Sequence, residues 1–347
     1  MKTKPNHQLV AAVALLSTCI LQPATLLAQG SLTPPGAPAP TMKTLQQVEP
    51  RVPISTAPFT ISQPGSYYLT TNLTVSGGDA ITIATNGVTL DLNGFTISST
   101  TNPASGTAVL IGSGLRNIAI QNGHIQGGVT NNGSGVFSGP GFGYGISYSG
   151  IPQNVRVSGV SVSGCQYDGI NVGHGASTTV ENCVVRTVGR YGIVANTIRG
   201  CVALDCGSVA IDGGQVSDSR GESVGGTGLY ATTAQNCYGS SSSGTGLYAY
   251  DTAIGCYGRS SSGMGLYAYI AQNCHGSSSG SGYGLYAGRT AIGCYGESSG
   301  GPSGLYAQIA AFCTGFRYGG QAIGATIANG CWAAAGTNLI TYKYNMP

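Results

Sequence analysis

Short apolar stretches that alternate with polar residues, broken by Gly/Ser clusters, run through most of this chain. Gly246-Leu-Tyr-Ala-Tyr250 and Thr252-Ala-Ile-Gly-Cys-Tyr257 are two strand-length examples. A period of two sends Leu247 and Ala249 to one face and Tyr248 and Tyr250 to the other. No stretch sustains a 3.6-residue period, and glycine at this density opposes helices. The pattern therefore predicts an all-β chain of short strands.

The strands recur at a fixed distance. Cysteines stand at 165, 183, 201, 237, 256, 274, 294, 313 and 331, with Ser219 at the vacant midpoint between Cys201 and Cys237. A second marker runs Ile170, Ile193, Ile211, Leu229, Leu247, Leu266, Leu285, Leu305 and Ile323. Two markers sharing a spacing of about 18–20 residues define a repeat. Leucine-rich repeats would need a Leu-x-x-Leu-x-Leu core, and propeller blades need about 40 residues or more per unit. One turn of a parallel β-solenoid fits. Longer coils of the same kind precede Cys165: Ile81–Ile83, Val88–Ile97, Leu115–Ile120 and Gly145–Ser147 all alternate. Adding Ile81, Val109 and Ile146 to the nine markers predicts about twelve coils, a rod of about 55–60 Å at the usual strand spacing.

The segment ISQPGSYYLTTNLTVSGGDAITIATNGVTLDLNGFTIS (61–98) is similar to the first coils of secreted bacterial right-handed parallel β-helix proteins of the pectate lyase-like superfamily. LRNIAIQNGHIQGG (115–128) and the Gly-Leu-Tyr-Ala array resemble bacterial right-handed β-helix repeat proteins without an established activity. The resemblance spans about residues 42–347. It implies a single-stranded right-handed parallel β-helix, a hand that the rule for parallel crossovers also favours. It implies no single function, because this fold carries lyases, hydrolases, epimerases, adhesins and binding rods.

Lys2 and Lys4 precede the apolar run Leu9–Leu21, and Ala28 offers a cleavage point, with Leu26 an imperfect residue two places before it. This is the order of a secretory signal peptide over residues 1–28. Leu16-Ser-Thr-Cys19 is a looser match to a lipoprotein signal. Residues 29–41, with SLTPPGAPAP, read as a Pro-rich linker. Residues 42–59 form a cap segment around Met42–Val48, and 60–347 the β-helix, which Asn338–Tyr344 would close. The expected place is outside the cell or on its outer surface, with no transmembrane span after the signal. Only 7% of the 347 residues are charged and the net charge is +3. That is too little, and too scattered, for a nucleic-acid footprint. Twenty tyrosines argue against disorder. Oligomeric state is not legible.

Candidate chemistry is thin. The cysteines belong to one inward column, where a reduced packing stack is favoured over inter-coil disulfides, because the Cβ vectors run parallel and serine replaces one rung. Cys206 lies off the column. There is no Cys-x-x-Cys, and histidines stand singly at 7, 124, 174 and 275, so neither a metal nor another cofactor is expected. The Gly-x-Gly-Leu-Tyr-Ala motifs turn corners, since no helix follows to hold a phosphate. Asp91 in TLDLNG serves a turn.

If leucine and cysteine point inward, the following residues point outward. This gives one row of Tyr230, Tyr248, Tyr267, Tyr286 and Tyr306. A second runs Tyr238, Tyr257, His275 and Tyr295, then Thr314 and Trp332. Aromatic rows stabilise β-surfaces, and they also offer flat platforms and hydroxyls to a polymeric sugar. Three residues beyond each cysteine-column position, one edge is predicted to carry Asp168, Arg186, Leu204, Glu222, Ser240, Arg259, Ser277, Glu297 and Phe316. Asp168, Arg186, Arg190, Asp205 and Asp212 are the weak catalytic candidates, and only as a polysaccharide lyase would they hold Ca²⁺ and use an arginine base. That chemistry is what the resemblance implies for the lyases, and no residue here matches a lyase motif. The leading expectation is a non-catalytic rod that contacts polysaccharide or cell-surface glycan through its tyrosine rows. The alternatives are a carbohydrate-active enzyme, first a pectate-type polysaccharide lyase and otherwise a glycoside hydrolase, and a purely structural or adhesive spacer.

Overall fold

The computed structural model describes residues 49–148, 150 and 152–346. The expectations for the signal peptide, the linker and the Met42–Val48 cap lie outside these residues. Among the described residues every regular element is a strand, and the strands pair in parallel in one continuous sheet apart from a single small antiparallel hairpin, Thr130–Asn131 with Phe137–Ser138. The fold is the parallel β-helix expected from the sequence. No helix of the described residues is long and apolar enough to cross a membrane.

The coil that begins at Leu229 shows the plan. Leu229–Gln235 bends once and so contributes to two sheets, and Tyr238–Ser241 forms the third. Leu229, Ala231, Ala234, Cys237, Gly239 and Ser241 all face inward and are buried. The bend between the second and third sheets falls on Asn236, in the left-handed region at φ 53°. The same corner is left-handed at Asn182, Gly200, Asp218, Gly255, Asn273, Gly293, Phe312 and Gly330, each immediately before a cysteine or Ser219. Asn, Asp and Gly are the residues that occupy this region at little cost, and they fill this corner at each of these rungs but that of Phe312.

The return corner, between the third sheet and the next leucine, is held by serine. Ser260 is buried, donates its hydroxyl to the Gly244 carbonyl at 2.6 Å and accepts the Gly263 N–H at 2.8 Å. Ser278 and Ser298 donate to the Gly263 and Gly282 carbonyls at 2.7 and 2.8 Å. Glycine is required where coils approach most closely: a Cβ on Gly246 would lie 2.3 Å from the Arg259 carbonyl oxygen.

The cysteine column holds from Cys183 to Cys331. Cys183 N–H lies 3.5 Å from Cys201 Sγ, and Cys313 N–H 3.4 Å from Cys331 Sγ. Ser219 fills its rung by the bond its neighbours use. Its hydroxyl donates to the Ser217 carbonyl at 2.7 Å, as Cys237 Sγ donates to the Gln235 carbonyl at 3.1 Å. All ten described cysteines are buried free thiols. Cys165 departs from the column that its spacing predicts. It pairs in register with Val188, which pairs with Cys206, which pairs with Ser223, so Cys165 and Cys206 head the serine column. Burial, reinforced by Asp168, pushes the Cys165 thiol up to about 12.

The coil count also changes. The leucine column gains Phe59 at one end and Asn338 at the other. The neighbouring column runs from Val52 through Tyr67, Leu90, Ile120 and Val157 to Ala328 and Lys343, making about 15 turns rather than twelve. Those rungs span about 65–70 Å. Val52–Ile54 thus already pairs within the segment expected to be a cap. Asn338–Tyr344 belongs to the final strand, Trp332–Tyr344, as the last coil rather than a lid over it. Asp91 serves its turn as expected, accepting the Asn93 N–H at 2.8 Å and pairing with Arg51 at 3.4 Å.

Candidate functional site: the outer tyrosine rows

Each Leu-Tyr-Ala triplet places its tyrosine outward at the same point of the first sheet. Tyr230, Tyr248, Tyr267, Tyr286 and Tyr306 are Cα partners on five successive rungs. Their ring centroids are 5.1, 4.4, 5.5 and 5.0 Å apart in that order, with planes 7–17° from parallel. This matches the rung spacing of about 4.8 Å, so each ring lies flat on the next. Burial against neighbouring rings pushes the phenols of Tyr248 and Tyr286 above their ordinary value, with the adjacent tyrosines adding to the effect.

The stacking alters what the row offers. A platform for a sugar ring needs an open aromatic face, yet inside this row each face is covered by the next tyrosine. Ring edges and phenol hydroxyls, repeated rung by rung, are what remain for a ligand. No charged side chain occupies any of these five positions.

The second row, on the third sheet, is in register but mixed. Arg220, Tyr238, Tyr257, His275, Tyr295, Thr314 and Trp332 succeed one another. Tyr238 and Tyr257 stack at 5.3 Å, whereas His275 stands edge-on between Tyr257 and Tyr295 with planes at 88° and 85°. Burial lowers the His275 pKa against the opposing pull of Glu297. Arg220 closes the upper end, 5.1 Å over the Tyr238 ring and bonded to Glu222 through Nε at 2.8 Å.

The charged candidates do not assemble as one cluster. Asp168 is buried in the turn before Ile170, where it accepts from Asn171 Nδ2 at 2.8 Å and pairs with Arg190 Nε at 3.3 Å. Arg186 lies outward on the third sheet between Ser163 and Leu204, so Ser163 and not Asp168 occupies the rung above it. The remainder of the edge, Glu222 to Phe316, is in the predicted register. Asp205, in the left-handed region at φ 55°, accepts from Asn131 Nδ2 at 2.6 Å. Among the described residues no three His, Cys, Asp or Glu side chains are grouped as metal ligands.

Asp212 sits apart from the other carboxylates, one rung above Tyr230 and its Cα partner. Its Oδ1 lies 3.4 Å from His174 Nε2. Burial raises the Asp212 pKa, and His174 opposes that rise. An open hollow of about 340 Å³ here is lined by His174, Asn196, Asp212, Gly214, Tyr230 and Thr232. His174 stands alone in the sequence, and no local motif marks Asn196. His174 reaches Asp212 from two coils away, and Asn196, one coil away, lines the same hollow.

No family model and no curated protein matches the chain. Among solved structures it is similar to the Dettilon tailspike protein, at 14% identity and TM-score 0.36, over 85% of this chain and 60% of that one. It is also similar to the enzymatically active domain of tailspike protein 2 of bacteriophage CBA120, at 10% identity and TM-score 0.31, over 86% of this chain and 43% of that one. The chain thus spans less than two thirds of the length of either.

Proposed function

We propose that this protein is a secreted or cell-surface, non-catalytic rod that holds an extended, hydroxyl-rich polysaccharide alongside its first tyrosine row. The supporting observation is the register of Tyr230, Tyr248, Tyr267, Tyr286 and Tyr306 on consecutive rungs. A row of identical groups at one spacing suits a ligand that repeats. Phenol hydroxyls both donate and accept, which fits sugar hydroxyls. The five row positions themselves carry no charge, which suits a neutral polymer.

A purely structural row is the second reading, and the mutual stacking of the rings favours it. Tyr248→Phe combined with Tyr267→Phe separates the two, because phenylalanine keeps the stack and deletes the hydroxyls. Binding of wild type and variant to a panel of neutral and acidic polysaccharides is the test. Wild-type binding to a neutral polymer that weakens in the variant supports the glycan reading. Equal binding by both proteins, or binding to no polymer, supports the structural one.

A further inference from the structure

The two ends of the tyrosine row differ. At its C-terminal end Tyr306 stands over Gly324, where an added Cβ would lie 3.0 Å from the Tyr306 ring, and Tyr283 leans on it at 5.9 Å. At the other end Tyr230 has Tyr248 on one face, the rung above carries the shorter Asp212, and among the described residues no second ring stacks on Tyr230. Tyr230 is 39% exposed, and the hollow of about 340 Å³ lies on this side. Gly214, at the corner between Asn196 and Thr232, keeps the floor clear: a Cβ there would come within 2.4 Å of Asn196 Oδ1. Among the described residues no titratable group other than His174, Asp212 and Tyr230 lines the hollow.

We infer that this hollow is a subsite for a single neutral pyranose residue, stacked on the face of Tyr230 away from Tyr248 with its hydroxyls bonded by Asp212, Asn196 and His174. The chemistry of the lining selects that ligand. An aromatic face takes the apolar C–H face of a sugar ring. The carboxylate accepts two hydroxyl protons, the amide both donates and accepts, and the imidazole adds a further partner. A uronic acid would bring its own carboxylate against Asp212 and is disfavoured. The subsite holds a terminal or branching sugar, while the row runs on along the polymer. It rests on the glycan reading of the row for the class of ligand only, because the hollow is built from different residues.

Ligand-observed saturation-transfer NMR with methyl glycosides of neutral hexoses, and with methyl galacturonoside, tests it. Transfer is expected for at least one neutral glycoside and not for the uronoside. It should fall at least tenfold in Asp212→Ala and in Tyr230→Leu, and partially in Asp212→Asn, which keeps the packing if the alanine variant misfolds. Arg259→Ala, on another sheet, should leave it unchanged. No transfer from any neutral glycoside to wild type overturns the subsite, as does transfer that survives in both Asp212→Asn and Tyr230→Leu. The two proposals fail distinguishably. Polymer binding that needs the Tyr248 and Tyr267 hydroxyls, without monosaccharide transfer, removes the subsite and leaves the row. Monosaccharide transfer together with polymer binding indifferent to those hydroxyls does the reverse.

Discussion

The rings of Tyr248 and Tyr267 lie with centroids 4.4 Å apart and planes 10° from parallel. This contact turns a presumed platform into a stack. It also makes the row a contributor to stability, since each aromatic pair adds about 0.5–1.5 kcal/mol beyond area burial. Tyr267→Ala breaks two such contacts and should cost about 1–3 kcal/mol, and Tyr230→Ala, which breaks one, about half of that. Chemical denaturation of the two variants measures the ratio. Equal losses would show that the stack carries little of the energy.

The thiols should be silent in the folded rod. All ten described cysteines are buried and free, and a structural thiol closed off from solvent is inert to a dissolved reagent. Ellman's reagent at pH ~8 should react with none of them in the native protein and with all of them in denaturant. Absent reaction in denaturant would mean disulfides. Within the column, Cys256→Ser should cost about 1 kcal/mol or less, because Ser219 already fills a rung through the same carbonyl bond. Cys256→Val adds bulk between packed coils and should cost about 1–3 kcal/mol.

Phe312 breaks the corner rule. It adopts φ 54° and is 68% exposed, where the other rungs have Asn, Asp or Gly. A bulky residue in this region costs about 1–2 kcal/mol, so Phe312→Asn should stabilise by about 1 kcal/mol. Asn236→Ala at the same corner should destabilise by a similar amount. Urea midpoints report both changes, and a destabilised Phe312→Asn would show that the ring's contact with Gly330 outweighs its backbone strain.

Asp212 gives stability a pH dependence. Burial raises its pKa and His174 only partly offsets this. A carboxyl whose folded pKa exceeds its unfolded value of about 3.9 stabilises fully below that value and loses the benefit as pH rises through the folded pKa. At neutral pH, then, Asp212→Asn should be at least as stable as wild type, and below pH ~4 the advantage should vanish. Thermal melts across this range decide it. A neutral-pH variant less stable than wild type would mean that the His174 contact outweighs burial.

The repeat, the inward and outward faces and both tyrosine rows were legible because each depends only on alternation within one strand. The left-handed corner was not, because alternation says nothing of backbone hand: Asn, Asp or Gly precedes most cysteines of the column, but Phe312 precedes Cys313. Nor was the place of Cys165. Gln153–Cys165 is one strand of 13 residues that feeds two sheets, and its 18-residue distance to Cys183 imitates the repeat while the register places Val188 beside it. Ring stacking was likewise hidden, because alternation fixes which side of the sheet a tyrosine occupies and not the plane of its ring. The His174–Asp212 contact spans two coils and depends on corner geometry that no local pattern encodes.

The most direct measurement of the tyrosine row's role compares wild type with the triple variant Tyr248→Phe, Tyr267→Phe and Tyr286→Phe. Affinity for the neutral polysaccharide that wild type binds best is read by calorimetry, beside a thermal melt of each protein. The expected result is affinity at least tenfold weaker with an unchanged melt, because the hydroxyls are gone and the stack remains. Undiminished affinity with an unchanged melt would contradict it, leaving the row as a structural seam of the rod.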